Sequence, residues 1–265
     1  MEPLRIALCG AAGRMGAAIV AAVEGEPGLR LVRAIERPGH PLLGRPAGGV
    51  ELTERLDLRA GECDAILDFS AAAATPGIAR AALAAATPLV SGVTGLGDRE
   101  MQALAEAARR IAVVHAANMS FGVALLERAL AAAAERLPDG YDIEIVEMHH
   151  RRKQDAPSGT AMRLAALLER MRPASTRLYG RGPAAGARKP GEIAIHSLRG
   201  GDVFGEHRVV FAGPGERLEW VHRAESRAAF AAGAVAAARF VRGRGPGLYG
   251  MAEVFGIKAG QTGGA

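Results

Sequence analysis

Apolar residues in the first third of the chain alternate between two spacings. Residues 4–9 form a short apolar run, residues 14–24 carry apolar side chains every three or four positions, and residues 29–35 form a second run. Short apolar runs are typical of buried strands, and the intervening spacing is typical of an amphipathic helix. The pattern therefore predicts a strand–helix–strand unit at the start of the chain.

The same alternation continues to about residue 114. Strands are predicted at 65–69, 88–91 and 111–114, and helices at 75–86 and 98–110. Pro76 favours the first turn of its helix, and Asp98 is a candidate N-cap. Strands that alternate with helices favour an α/β fold, here a Rossmann-like, doubly wound parallel sheet with helices on both faces.

After residue 120 strands follow one another more closely. The pattern predicts helices at 121–136 and 159–171 and strands at 142–148, 192–198, 206–212 and 217–223. Gly213-Pro214-Gly215 lies between the last two strands and indicates a hairpin. This part is predicted to be a smaller α+β domain for substrate binding and oligomerisation, with a mixed, mostly antiparallel sheet.

One more helix is predicted near the C-terminus, at 226–242, and is expected to pack on the first domain. The domains are therefore predicted as 1–120, completed by 226–265, and 121–225. The glycine-rich tail at 259–265 is expected to fray.

Composition and charge narrow the range of possible ligands and locations. The net charge of +5 suits small anionic ligands, and the compact basic run at 151–153 lacks the aromatic residues of a nucleic-acid platform. Cys9 and Cys63 show neither metal nor disulfide spacing. A signal peptide has no room before the first strand, and no apolar stretch is long enough to span a membrane, so we expect a cytoplasmic protein that binds neither nucleic acid nor membrane.

A glycine-rich turn joins the first predicted strand to the first helix. Its GxxGxxG spacing is a variant of the dinucleotide fingerprint, in which glycines permit a sharp turn and close approach of the backbone to a pyrophosphate. The helix N-terminus adds N–H groups for the phosphates. The candidate cofactor residues here are Gly10, Ala11, Ala12, Gly13, Arg14 and Met15. An ordinary structural turn is the alternative.

Glu36 lies 20 residues after Gly16, where a carboxylate can accept hydrogen bonds from the adenosine ribose. The neighbouring Arg37 is suited to the 2′-phosphate of NADPH, so NADH and NADPH both remain candidates. Two later segments follow strands at the same predicted sheet edge and are candidates for the nicotinamide end of the cofactor. They are Gly92, Val93 and Thr94, and Ala117, Asn118, Met119 and Ser120.

The segment 147–161, EMHHRRKQDAPSGTA, carries the candidate chemistry. It leaves a strand, forms a polar loop and enters a helix at Ser158, which is a good N-cap. His149, His150 and Lys153, one of only three lysines, precede a helix N-terminus that can bind an anion. Histidine and lysine suit proton transfer and carboxylate binding. A metal site is not expected, because adjacent residues on a strand point to opposite faces.

This segment resembles the E-x-HH-x-x-K-x-DAPSGTA signature of the 4-hydroxy-tetrahydrodipicolinate reductase (dihydrodipicolinate reductase) family. The similarity extends through IER at 35–37, LDFS at 67–70, RGGDVFGEH at 199–207 and ESRAAFAAGA at 225–234. It implies NAD(P)H-dependent reduction of 4-hydroxy-tetrahydrodipicolinate to tetrahydrodipicolinate with loss of water, in lysine and diaminopimelate synthesis. It also implies a homotetramer joined through the substrate-domain sheets, and no metal.

The resemblance also implies roles for individual residues. His149 and Lys153 would be catalytic, and Arg227 would join the cofactor-binding residues named above. The substrate would be held by His150, Ser158, Gly159 and Thr160.

Three alternative functions fit the sequence less well. Another NAD-linked amino-acid or aldehyde dehydrogenase would share the glycine loop but has no need of HHxxK beside SGT, and a non-catalytic regulator would not need an intact HHxxK. A short-chain dehydrogenase is excluded because no tyrosine is followed four residues later by lysine.

Overall fold

The computed structural model describes residues 2–258. The described chain divides into two compact units, one running to Phe121 and again over Arg227–Gly256, the other covering Gly122–Ser226 and residues 257–258. The tail at 259–265, assigned above to the first domain and expected to fray, lies outside the described residues.

The elements follow one another in a regular order along the chain. The strands are β1 (Leu4–Cys9), β2 (Leu29–Ile35), β3 (Pro46–Ala47), β4 (Val50–Thr53), β5 (Ala65–Asp68), β6 (Leu89–Ser91), β7 (Ala112–His115), β8 (Asp142–His149), β9 (Thr176–Tyr179), β10 (Glu192–Arg199), β11 (Gly205–Gly213), β12 (Glu216–Ala224) and β13 (Gly247–Tyr249). The helices are α1 (Arg14–Glu24), α2 (Thr75–Ala84), α3 (Asp98–Ala108), α4 (Phe121–Arg136), α5 (Gly159–Met171), α6 (Ala228–Val241) and α7 (Met251–Val254).

The first unit is built on an eight-stranded sheet in the order β13-β7-β6-β5-β1-β2-β4-β3. Its neighbouring strands are parallel except for β3 with β4, which confirms the predicted parallel sheet. Helices α2 and α3 pack as one pair and α1 and α6 as another. Helix α6 also packs on β5, β6 and β7, as expected for the last predicted helix.

The second unit contains a five-stranded sheet in the order β12-β11-β8-β10-β9. Apolar side chains of α4 and α5 cover one face, and Ile145, Leu164, Val209 and Phe211 are fully buried in that core. The mixed sheet is as predicted, but "mostly antiparallel" overstates the balance. Among the described strands, two pairings are parallel and two are antiparallel. The difference arises from β9, a short edge strand without fully buried residues, which the sequence pattern does not reveal.

The expected cap of α3 is wrong by one residue. Gly97 is the N-cap, and its N–H donates to the Glu100 carboxylate at 3.0 Å. Asp98 instead begins the helix, where its negative charge still complements the helix dipole. None of the helices within residues 2–258 has both the length and the apolar character needed to cross a membrane.

Candidate functional site

The glycine turn of the first unit is packed too closely for side chains. Gly10 has φ +80°, and a Cβ added to it would lie 2.5 Å from the carbonyl oxygen of Phe69. A Cβ on Gly16 would lie 2.2 Å from the carbonyl oxygen of Gly10. Helix α1 begins after Gly13 without a side-chain cap. This cradle leaves the N-terminus of α1 available to phosphates, so the residues fit a dinucleotide.

Glu36 lies directly against this turn. One carboxylate oxygen accepts the N–H of Ala12 at 3.2 Å, and the other accepts the N–H of Arg37 at 3.0 Å. These two bonds fix the carboxylate at the carboxyl end of β2. Each oxygen keeps a second lone pair, as hydrogen bonding to a ribose would require.

A cavity of about 180 Å³ lies further along the same sheet edge. It brings together residues from the three predicted cofactor segments, and it adds two aromatic rings that the sequence did not single out. Its lining consists of Met15, Phe69, Gly92, Thr94, Ala117, Asn118, Met119 and Phe230. A Cβ on Gly92 would lie 2.2 Å from the Phe69 ring, so glycine is required beside this ring.

The remaining predicted cofactor residues do not line this cavity. Arg14 and Arg37 are exposed, whereas the side chain of Val93 is buried and can offer a ligand only its backbone. Ser120 is also buried, and Arg227 is the N-cap residue of α6.

In the second unit, β8 carries ionisable groups on the same face as its core residues. Glu147 and His149 follow Ile143 and Ile145 in the alternating buried positions of the strand. Glu147 is 0% exposed. Its two oxygens accept hydrogen bonds from Arg199 Nη1 at 2.9 Å and Nη2 at 2.8 Å. Burial opposes ionisation, but hydrogen bonds from His149 and Arg199 outweigh it and lower the pKa of Glu147 to about 2.

His149 ends β8 and is bonded to this carboxylate. The distance from its Nδ1 to Glu147 Oε2 is 2.5 Å, and the residue is 8% exposed. Gly205 of β11 lies beside the ring, and a Cβ there would come within 3.0 Å of Nε2. The ring is therefore held at Nδ1, and the absence of a side chain at Gly205 leaves room beside Nε2.

Lys153 lies in the loop after β8 and forms an ion pair with Asp155 at 2.8 Å. Burial raises the pKa of Asp155, but the hydrogen bond and charge of Lys153 lower it overall. The ammonium group is partly exposed, with 23% of the side-chain surface accessible. It remains able to contact a soluble anion.

Helix α5 begins as the sequence predicts. Ser158 is its N-cap, and the Ser158 hydroxyl oxygen accepts the N–H of Ala161 at 3.2 Å. Gly159 is exposed, and a Cβ added to it would meet no described atom within 4 Å. The space beside this helix N-terminus is therefore open to an anionic group.

Comparison with known proteins gives the family. Two family models match this chain, described as dihydrodipicolinate reductase, N-terminus, over residues 4–119, and dihydrodipicolinate reductase, C-terminus, over residues 122–255. The chain belongs to the dihydrodipicolinate reductase family. The 4-hydroxy-tetrahydrodipicolinate reductases of Thiobacillus denitrificans and Anaeromyxobacter dehalogenans are each 44% identical to it. The alignments cover 96% and 97% of this chain, respectively, and 99% of each relative.

Solved structures agree with this assignment. A dipicolinate-bound dihydrodipicolinate reductase from Paenisporosarcina sp. TG-14 superposes with a TM-score of 0.77 at 25% identity, covering 95% of this chain and 99% of that one. GenD2 from gentamicin A biosynthesis, in complex with NAD, has a TM-score of 0.56 at 18% identity, covering 83% of this chain and 73% of that one. The second similarity shows a shared fold only.

For this family member, sequence reasoning missed the groups that surround the histidine. Arg199 is paired in register with His149 across β10 and β8, and His207 is paired with Glu147 across β11 and β8. His207 is 3% exposed, its Nε2 lies 3.0 Å from Ser158 Oγ, and burial lowers its pKa to about 3. The available signal was the alternation on β11, which places His207 in the buried phase of Val209 and Phe211.

Within residues 2–258, no group of three or more His, Cys, Asp and Glu side chains is arranged to hold a metal ion. The two histidines of the HH pair also differ in setting. His149 is buried as the last residue of β8, whereas His150 follows the strand and is half-buried.

Proposed function

We propose that this chain reduces 4-hydroxy-tetrahydrodipicolinate to tetrahydrodipicolinate with loss of water, using a reduced nicotinamide cofactor, in lysine and diaminopimelate synthesis. The observation that carries the proposal is the buried Glu147–His149 pair, which shares a unit with Lys153 and the open N-terminus of α5 in a chain of this family. The Paenisporosarcina relative was solved with dipicolinate, a small cyclic dicarboxylate of the same class as this substrate.

The residues of the second unit suit a doubly negative ring. Backbone N–H groups at Gly159 and Thr160 would donate hydrogen bonds to one carboxylate at the helix N-terminus, with Ser158 fixing the start of that helix. Lys153 would pair with a carboxylate, and His150 would contribute a further substrate contact. His149 would hold or move a proton at the ring nitrogen that Glu147 leaves unbonded, Nε2. Lys153 would serve as the second acid.

The first unit would hold the cofactor. When bound, the reduced nicotinamide supplies a hydride to the substrate ring. The pyrophosphate would lie on the Gly10–Met15 turn, and the nicotinamide end would lie near the cavity that Gly92, Thr94 and Asn118 help to line. The neighbouring Val93, Ala117, Met119 and Ser120, and Arg227 at the start of α6, complete the proposed set.

We expect both cofactors to be accepted. The fixed carboxylate of Glu36 suits the two ribose hydroxyls of NADH, and the exposed guanidinium of Arg37 suits the 2′-phosphate of NADPH. We assign cofactor binding to the first unit and substrate binding to the second. We place the enzyme in the cytoplasm, which supplies reduced nicotinamide cofactors.

A homotetramer is part of the proposal. The face of the second unit's sheet opposite α5 carries apolar side chains on four adjacent strands. They are Val146, Met148, Leu198, Val210 and Val221, of which Leu198 is 44% exposed and Val221 38% exposed. Ion pairs such as Arg208–Glu219 and Arg223–Glu206 lie among them. Exposed apolar patches framed by charges are typical of subunit interfaces.

The proposed function is tested by following the loss of reduced-nicotinamide absorbance with substrate made freshly from pyruvate and aspartate semialdehyde. Lys153→Ala and His149→Gln are each expected to lower turnover about 100-fold or more, as acid–base groups do, with little change in NADH affinity. Lys189→Ala removes another lysine of the same unit and is the matched control, with unchanged turnover. Wild-type turnover in both site variants would contradict the assignment.

A further inference from the structure

We infer that Glu147 and Arg199 are positioning residues, which together hold the imidazole of His149 with its proton on Nδ1 and anchor the N-terminus of α5 through the same carboxylate. The expected effects on turnover rest on the proposed function. The expected position of the His149 proton rests only on the geometry of the second unit.

The carboxylate of Glu147 is shared among donors from three parts of the chain. Oε2 receives His149 Nδ1 at 2.5 Å and Arg199 Nη1 at 2.9 Å. Oε1 receives Arg199 Nη2 at 2.8 Å and the backbone N–H of Ser158 at 3.1 Å. Four donors on one buried carboxylate satisfy its lone pairs, so its orientation is determined from every side.

Arg199 makes this burial tolerable. A lone carboxylate in an apolar core costs several kcal/mol, but a bidentate guanidinium matches its geometry and offsets its charge. The Arg199 side chain is only 18% exposed. It also donates to the backbone carbonyl oxygen of Asp155, the residue whose side chain pairs with Lys153. The pair is therefore a fixed unit and not a mobile surface salt bridge.

An ionised carboxylate has no proton to donate. The short bond between Glu147 and His149 must therefore use a proton on Nδ1 of the ring. In the neutral imidazole, Nε2 then carries the lone pair. Turning the ring over would place Cδ2 in the position of Nδ1 and lose the hydrogen bond to Glu147.

The same carboxylate reaches the anion-binding element. Its bond to the Ser158 N–H lies at the N-cap of α5, immediately before Gly159 and Thr160. Displacing Glu147 would therefore disturb the proton-carrying ring and the proposed carboxylate pocket together. A residue that only supported the fold would not link these two effects.

The chain contains a natural reference for the tautomer. Glu144, on the opposite face of β8, is bonded to His196 through Nε2 at 2.6 Å. By the same reasoning His196 carries its proton on Nε2. The two histidines that pair with carboxylates of β8 are thus expected to carry their protons on different ring nitrogens.

The first experiment is a ¹⁵N–¹H correlation spectrum of full-length protein labelled with ¹⁵N in the histidine rings, recorded at alkaline pH. His149→Gln and His196→Gln assign the two spin systems. We expect a protonated Nδ1 in His149 and a protonated Nε2 in His196. A protonated Nε2 in His149 would overturn the inference, and this readout does not depend on the substrate.

The second experiment is kinetic. Glu147→Gln places an amide N–H₂ among four donors, so we expect turnover to fall about 10- to 100-fold and KM to rise. Arg199→Lys keeps the charge but loses the paired geometry, and an intermediate loss is expected. Glu169→Gln, which breaks a bidentate pair with Arg177 elsewhere in the unit, is the control.

The two proposals fail separately. Wild-type kinetics in Glu147→Gln and Arg199→Lys, with Lys153→Ala inactive, would overturn the positioning role alone. Wild-type turnover in Lys153→Ala and His149→Gln would overturn the proposed function. The position of the His149 proton would then be decided by the spectrum alone. Should Glu147→Gln not fold, Arg199→Lys and the wild-type spectrum still decide the inference.

Discussion

Acidification from about pH 7.5 to about pH 5 is expected to destabilise this fold by about 2 kcal/mol through His207 alone. The ring is buried at 3% exposure, bonded to Ser158 Oγ and packed edge-on against the ring of His149 at 5.2 Å. Burial lowers the pKa of His207 from 6.5 to about 3, and the charges of His149, His222 and Lys153 act in the same direction against the opposing effect of Glu147.

The sign follows from proton binding. The folded pKa of His207 lies below its unfolded value, so the unfolded chain takes up the proton first. The stability is fully present above about pH 6.5 and is lost as the pH falls towards 3. At about pH 5 the unfolded ring is protonated about 30 to 1 while the folded ring is neutral, which corresponds to about 2 kcal/mol.

Comparison with a His207 variant in this pH window isolates the contribution of His207. The pKa of Glu147 falls from 4.5 in the unfolded chain to about 2 in the folded protein, so its contribution is lost only below about pH 4.5. The pKa of His222 is also lowered by burial, and its contribution is common to wild type and to a His207 variant. The difference between the two proteins therefore reports His207.

The assay is urea unfolding of wild type and His207→Gln at both pH values and one fixed protein concentration, because an oligomer's stability depends on concentration. Glutamine keeps an acceptor for the Ser158 hydroxyl but cannot be protonated. Wild type should lose about 2 kcal/mol more than the variant between the two pH values. Equal losses would refute the reasoning that burial keeps this ring neutral.

Two further predictions concern the cofactor and the assembly. Glu36→Ala should weaken NADH binding more than NADPH binding in a fluorescence titration, because the carboxylate serves the ribose hydroxyls, and equal weakening would mean that Glu36 does not contact the ribose. Wild type should elute in size-exclusion chromatography with light scattering at four times the chain mass of 27.4 kDa. Val221→Glu places a charge on the apolar face and should lower that mass, whereas a monomeric wild type would exclude the tetramer.

Much of the fold follows from hydrophobic spacing because most long elements bury one face. The predicted bounds of α1, α4 and α5 are those of the structure, and β8 differs by one residue. The elements that escaped are short and poorly buried. Strands β3 and β9 have no buried residue, so neither a buried apolar run nor helical spacing of apolar residues could reveal them.

Only the site residues that lie close together in the sequence could be predicted. His149, Lys153 and Ser158 lie within ten residues of one another, so a single segment reveals them together. Their partners Arg199 and His207 are about 50 residues further along the chain and become neighbours only through the register of β10, β8 and β11. The apolar pattern decides which residues of a strand face the core, but which strands pair, and in which register, also depends on turns and connections that this pattern does not specify.

Glu147 occupies a buried position on β8, but its proposed role is in the chemistry of the site and not in the packing of the core. Along β8 the buried face passes from Ile143 and Ile145 to Glu147 and His149, so the carboxylate occupies what would otherwise be a core position. Replacing a buried ion pair by apolar residues of similar volume is often neutral or stabilising. Core packing alone therefore gives no reason for the Glu147–Arg199 pair, whereas holding one tautomer of the His149 imidazole does. On the buried face of β8, the apolar core therefore ends at Ile145 and the proposed site begins at Glu147.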